Sequence, residues 1–251
     1  MVPNEYYHKK KAMTSEKASF VKLEGHRVEE KYNELIGGEI IKGTGKIDIK
    51  DKNGKLHSVK GGQLKWQIFL YGKNRFEYDF EEIGKLFIKC IDSFPERREE
   101  YLKNKDKYKS ILKENMVNLK KYLENDKSRK KFFVKSFLNN QIDYFAIYNE
   151  EVFHIFDAEE AMGELSSLTK AENSKAKSSG QRDDQKVIFK YHNKTVGEIE
   201  MRNDSEVHYR QVKFWMEKKG TTDLLIENIP VNKQRGGGII LYGKAEDNFL
   251  K

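Results

Sequence analysis

The chain has 251 residues, 37% of them hydrophobic and 35% charged, with a net charge of +8. That is enough for one large domain or two small ones, and the positive surplus favours a polyanionic partner, because neutralised phosphates release their counterions. A single cysteine, Cys90, excludes an internal disulfide and zinc-finger spacing; with no apolar run approaching the ~18 residues of a membrane span and no hydrophobic signal region in MVPNEYYHKKKAM, a cytoplasmic protein with no membrane partner is expected.

Residues 1–18 are polar. Beyond them Val21, Val28, Tyr32, Leu35 and Ile36 share one face of a helix that Gly37-Gly38 stops. GEIIKGTGKIDIKDKNGKLHSVKGG then holds three short strand-like runs, and Asn53-Gly54 between IDI and LHSV predicts a hairpin. KWQIFLYG, at 65–72, fits a buried strand or the start of a helix equally well. FEEIGKLFIKCIDSF repeats apolar groups every three to four positions. After Pro95 a second helical stripe runs through Tyr101, Tyr108, Ile111, Leu112, Met116, Leu119 and Tyr122, with a charged outer face. FFVKSFLNNQIDYFAIYNEEVFHIF predicts strands around an Asn139-Asn140 turn, and residues 166–186 are low-complexity, in the manner of a mobile loop or linker. A hairpin around His192-Asn193-Lys194 and a glycine-rich turn in KQRGGGIILYGK mark a β-rich C-terminal part.

The chemistry concentrates on the first hairpin. It puts Asp48 near the end of one strand and Lys60 on its neighbour, with Ser58 two residues before Lys60 and therefore on the same face. Phosphodiester hydrolysis uses a divalent cation to polarise a phosphoryl oxygen and acidify a water, and Mg2+ needs only one or two carboxylates because it keeps most of its waters. A lysine beside them can orient the water and offset charge in the transition state. Gly43, Gly45, Gly61 and Gly62 leave room for a phosphate backbone.

These residues resemble the PD-(D/E)xK nuclease superfamily, which includes most type II restriction endonucleases. Its pattern is a helical Glu, a strand ending in Asp, and (D/E)xK on the next strand. Here the helix offers Glu29 or Glu30, the strand offers Asp48, and the last element is Ser58-Val59-Lys60. The resemblance covers about 40 residues and implies a Mg2+-dependent endonuclease with Glu29, Asp48, Ser58 and Lys60 in its site. The sequence departs from the pattern at Ser58, where the family has an acid, and Glu77 is the candidate for the missing metal-binding carboxylate.

A rival constellation lies at 197–216. Glu200 followed by Gln211-Val212-Lys213 is a carboxylate and a QxK, a form that some nucleases of the superfamily use. Between them Arg202, Asn203, Asp204, His208 and Arg210, with Lys213 beside them, suit base and phosphate contacts in DNA. The six histidines show no HxxxH or HxH spacing, and Gly236-Gly237-Gly238 lacks the GK[ST] of a P-loop.

The sequence thus predicts an α+β fold: a mixed central sheet flanked by helices, with a helical insertion and a β-rich C-terminal part. The expected division is a catalytic core at 1–95, a helical region with linker at 96–180, and a DNA-contacting region at 181–251. The expected activity is sequence-specific cutting of double-stranded DNA, by a homodimer if the target is palindromic. The alternative is a non-catalytic DNA- or RNA-binding regulatory module.

Overall fold

The computed structural model describes residues 15–43, 45–62, 64–174, 184–203 and 205–250, with side chains from Leu23 onward. Helix α1 (Ser15–Ile36) ends at Gly37, whose φ of 67° turns the chain while its amide donates to Asn33 O at 2.7 Å. Strands β1 (Glu39–Ile40), β2 (Ile49–Lys50) and β3 (Leu56–Lys60) form an antiparallel meander. The turn predicted between β2 and β3 is present. Asp51 Oδ1 accepts from the amides of Asn53 and Lys55 at 2.8 and 2.9 Å, and Gly54 takes φ 82°.

The run at 65–72 is a strand, β4 (Lys65–Tyr71), and helix α2 (Lys73–Asp79) follows directly. Next come α3 (Glu81–Asp92), α4 (Arg98–Lys103) and α5 (Lys105–Glu124), where the periodicity predicts helix. Their stripe buries Tyr101, Tyr108, Leu112, Met116 and Leu119, while Ile111 stays exposed. Helix α6 (Asp126–Phe133) is capped by Asn125 Oδ1, which accepts from Ser128 N at 3.0 Å, and it continues as a π-helical turn, Val134–Leu138.

That turn corrects the expectation of strands around Asn139-Asn140. Phe132, Phe133 and Phe137 are core anchors at helical spacing, and Asn139, at φ 48°, terminates the helix in the left-handed region that Asn tolerates. The hairpin comes later, between β5 (Tyr144–Asn149) and β6 (Val152–Asp157). Its turn residues, Glu150 and Glu151, have φ 49° and 64° without the usual Asn or Gly.

Helix α7 (Ala158–Leu168) and strand β7 (Lys170–Ser174) take up the first part of the stretch expected as a linker, and its residues 175–183 lie outside the described ones. Strands β8 (Lys186–Tyr191) and β9 (Lys194–Arg202) form the predicted hairpin, with His192 and Asn193 at φ 44° and 61°. After β10 (Gln211–Glu217), helix α8 (Lys218–Asn228) interrupts the region read as β-rich, before β11 (Val231–Arg235) and β12 (Ile239–Tyr242) pair across the glycine turn.

The fold is α+β with two sheets. The first is mixed, in the order β1-β2-β3-β5-β6-β12-β11, with β3 parallel to β5 and β6 parallel to β12. The second is antiparallel, in the order β4-β10-β9-β8-β7. Each draws strands from all three of the segments expected as separate regions, so the division at 95 and 180 is not the organisation of this chain. One core lies under α1 and holds Tyr32, Ile36, Val59, Ala146 and Phe153. The larger core joins the other face of the first sheet to the second sheet and the helices. Phe69, Phe132 and Phe214 pack edge-on and tilted against one another there, and Phe137 meets Phe145 edge-on.

Candidate active site

Alternation along β3 decides which side chains meet. His57 and Val59 turn toward α1, while Ser58 and Lys60 share the opposite face, in register with Phe145 and Ile147. Ser58 is fully buried, whereas the Lys60 side chain keeps 20% of its exposure at the strand end. Asp48 stands one residue before β2, its backbone held by donation from its amide to His57 O at 2.9 Å and by Ile41 N donating to its carbonyl at 2.9 Å.

The predicted acid and amine meet. Asp48 Oδ2 accepts from Val59 N at 2.7 Å and from Ser58 Oγ at 3.2 Å, and Lys60 Nζ lies 3.5 Å from the same oxygen. Lys60 Nζ in turn donates to Ser58 Oγ at 2.7 Å and to Val59 O at 3.2 Å. Ser58 therefore stands in the relay between the ammonium and the carboxylate, where a serine both accepts and donates and an acid would carry charge. One oxygen of Asp48 is tied into this relay.

Glu29 completes the group. Helix α1 reaches the end of β3 because Gly61 has no side chain: a Cβ there would stand 2.9 Å from Val28 Cγ2. One residue on, Glu29 lies half-buried, and its carboxyl pKa is raised by burial first and by the negative charge of Asp48 second. His26, with Nδ1 at 3.2 Å, and Lys60 oppose that shift. Of the two helical glutamates that the sequence offers, Glu29 faces Asp48 electrostatically, and Glu30 is exposed.

Glu77 does not join them. It is exposed on α2, which β4 carries away into the second sheet, and no contact links it to Asp48 or Lys60 among the described residues. The carboxylate that feels the charge of Asp48 is Glu29 instead. The flanking glycines also differ in role: Gly43, Gly45 and Gly62 open onto empty space, whereas Gly61 serves the helix contact.

Lys46 is a residue the sequence reading missed. It donates to Ile68 O on β4, so it ties the loop before β2 to the second sheet. Burial, the positive charge of Lys60 and, more weakly, that of Arg75 lower its pKa to about 7, against the pull of Asp48. Its place in an irregular loop leaves no periodic signal in the sequence.

On the α1 face, His57 is buried, with Nδ1 3.0 Å from Tyr32 Oη and Nε2 3.3 Å from Asp51 Oδ2. Burial lowers its pKa. Tyr144 stacks on it and Phe249 meets it edge-on, so it belongs to the core rather than to the Asp48 side of the strand.

The rival constellation is differently occupied. Glu200 and Lys213 are cross-strand partners, Oε1 to Nζ 3.6 Å, and Lys186 Nζ reaches Glu200 at 3.1 Å and Glu198 at 2.6 Å. Burial would raise the Glu200 pKa, but Lys186 and Lys213 together hold it below the ordinary value. Gln211 Oε1 meets His208 Nδ1 at 3.0 Å, and Arg210 turns back onto Asp92 at 2.8 Å. Arg202 lies near enough to Glu200 to stabilise its charge, Asn203 is half-exposed, and Asp204 lies outside the described residues. The cluster is a self-neutralised set of ion pairs on the outer face of the second sheet.

Among the described residues, no three of His, Cys, Asp and Glu gather as a ready-made metal cage, and no helix is long and apolar enough to cross a membrane. Comparison with protein-family models, curated proteins and solved structures finds no match to the chain.

Proposed function

We propose that the protein is a metal-dependent endodeoxyribonuclease, similar to the restriction endonucleases of the PD-(D/E)xK superfamily, acting on double-stranded DNA. The single observation that carries this reading is the convergence of Asp48, Ser58 and Lys60 within hydrogen-bonding and ion-pair distance, with Glu29 close enough to feel the charge of Asp48. Asp48, just before β2, meets Ser58 and Lys60 of β3, and Glu29 of α1 feels the charge of Asp48, which supports the reading. The net charge of +8 supports a polyanionic substrate.

The donor set fits Mg2+. Glu29 and Asp48 are hard oxygen ligands; burial first and the negative charge of Asp48 second raise the pKa of Glu29, and a bound cation would favour its charged form. Those two carboxylates would hold the ion, which when bound polarises a phosphoryl oxygen and supplies an acidified water. Lys60, whose ammonium donates to Ser58 Oγ, would orient the water and offset the charge that builds on phosphorus-bound oxygen. Water oxygen bonds to phosphorus as its proton passes to solvent, the bond to one ester oxygen breaks, and that oxygen takes up a proton from solvent. Ser58 needs no acid of its own, because Glu29 brings the second carboxylate from α1. Cytoplasmic action, and a dimer on palindromic sites, belong to the same reading.

The test is plasmid cleavage with Mg2+ by wild type, Asp48→Asn and Lys60→Ala. Cutting by wild type that both variants lose, with circular dichroism unchanged, supports the proposal. Tight DNA binding with no cutting in either Mg2+ or Mn2+ supports the regulatory binding module and overturns it.

A further inference from the structure

A groove of about 620 Å3 opens between α2 with the start of α3 on one side and α6 with its π turn on the other. Lys127, Lys131 and Lys135 line one wall, and Tyr78, 86% exposed, stands on the other. Lys127 and Lys131 are one helical turn apart, which puts both on the same ridge. Both are exposed, and neither has an ion-pair partner among the described residues.

The acids of the groove are mostly compensated. Asp79 lies between Arg75 at 2.8 Å and Lys135 at 3.6 Å, and Glu159 pairs with Lys130 at 3.0 Å. Only Glu81, at the start of α3, is without such a partner. Lys135, Asp79 and Arg75 form a chain of ion pairs along this rim of the groove.

We propose that this groove holds an unpaired stretch of the DNA substrate, with its phosphates on Lys127, Lys131 and Lys135 and a base stacked on Tyr78. This rests on the nuclease reading and deepens it: the substrate is DNA with a single-stranded segment beside the duplex. A cavity of this volume is on the scale of a small-molecule ligand, so a base and its sugar enter it and a duplex does not. A basic wall that tracks the backbone, facing an exposed aromatic ring, is the arrangement by which proteins hold single strands without reading sequence.

The experiment measures fluorescence anisotropy of a labelled oligothymidine and of a blunt duplex, without divalent ions, so that binding is read apart from cutting. Tyr78→Ala is expected to weaken oligothymidine binding roughly 10-fold, in line with base-aromatic stacking. Lys127→Gln with Lys131→Gln is expected to weaken it by a similar factor, and to make the slope of log affinity against log salt shallower by about 1.4, or ~0.7 for each lost phosphate contact. Both sets alter exposed side chains, and thermal melts check that the fold is kept. Neutralising Lys194 and Lys219, which line a separate cleft, removes the same net charge and is expected to change oligothymidine binding less than 2-fold. Wild-type affinity in the groove variants, or an equal loss in the Lys194 and Lys219 variant, overturns the proposal. Cutting that Asp48→Asn abolishes while the groove variants bind and cut as wild type leaves the nuclease reading standing without the groove. Groove-dependent binding with no cutting by wild type removes the nuclease reading instead.

Discussion

Gly61 is where the position of Glu29 can be changed without touching a charged group. Gly61→Ala adds one methyl, which would stand 2.9 Å from Val28 Cγ2 and 3.2 Å from both Cβ and Cγ1. Val28 is β-branched and helical, so its rotamer is fixed and it cannot swing aside. Ordinary contact between carbons begins near about 3.5 Å, so α1 must move away from β3 by roughly half an ångström. Overpacking of that kind costs about 1–3 kcal/mol, or a drop in Tm of about 2–12 °C for a chain of this size. A displacement of about 1 Å in a catalytic array costs up to ~100-fold in rate, so the cutting rate is expected to fall about 10-fold. Val28→Ala in the same chain removes the opposing methyls, and the double variant should recover most of both losses. Melting curves and plasmid cleavage on the four proteins of the cycle give the coupling directly. If Gly61→Ala melts and cuts like wild type, or if Val28→Ala restores neither quantity, then Gly61 does not set the approach of the helix and the account of Glu29 is wrong.

Glu200→Ala and Lys213→Ala should leave cutting unchanged and shift stability by less than about 1 kcal/mol, as partly exposed pairs do; a loss of cutting with intact fold would move the active site to the second sheet. Arg129 is 3% exposed, and its guanidinium donates to Leu123 O at 2.7 Å and twice to Ser166 O at 2.9 and 2.7 Å. Arg129→Lys cannot reproduce that fork, so carbonyls joining α6 to α7 lose donors at a cost of about 2–4 kcal/mol; denaturant midpoints equal to wild type would refute this. His154, buried with Nδ1 2.8 Å from Tyr242 Oη, has its pKa lowered by burial below the ordinary 6.5, with Lys218 acting in the same sense and Glu150 opposing. The folded state therefore takes up this proton less readily than the unfolded chain, and the contribution of neutral His154 is present above pH 6.5 and lost as pH falls below it. His154→Gln should lessen the decline in stability between about pH 7 and about pH 5, and an unchanged decline would count against the assignment.

What the sequence made legible was local. The Asn53-Gly54 turn and the period of two along LHSVK are enough to put Asp48 near Ser58 and Lys60, because a hairpin register depends on a few neighbouring residues. Glu29 was legible as one of two helical acids, and only the packing of Val28 on Gly61 separates it from Glu30. Glu77 was misjudged because nearness in sequence to β4 was read as nearness in space, while β4 leaves the first sheet altogether. Lys46 went unnoticed because its burial is created by a strand of the other sheet. At Asn139-Asn140 a turn-forming pair was read as a hairpin when it closes a helix, and the true hairpin at Glu150-Glu151 carries no local signature. Positions set by long-range packing leave little trace in a single sequence.

The departure of β4 has one more consequence. Trp66 Nε1 donates to Gly61 O at 2.6 Å, and Lys218 Nζ donates to Gly62 O at 2.9 Å, so the bend just past Lys60 is clamped by a residue from the far end of the molecule. Among the described residues β4 itself pairs with β10 alone, whose residues are 211–217. During synthesis all of Glu29, Asp48, Ser58 and Lys60 emerge from the ribosome long before the strand and the lysine that hold their surroundings in place. A truncated version ending at residue 95 would keep Trp66 but lose Lys218 and the strand that β4 pairs with, so the bend past Lys60 would lose half of its clamp.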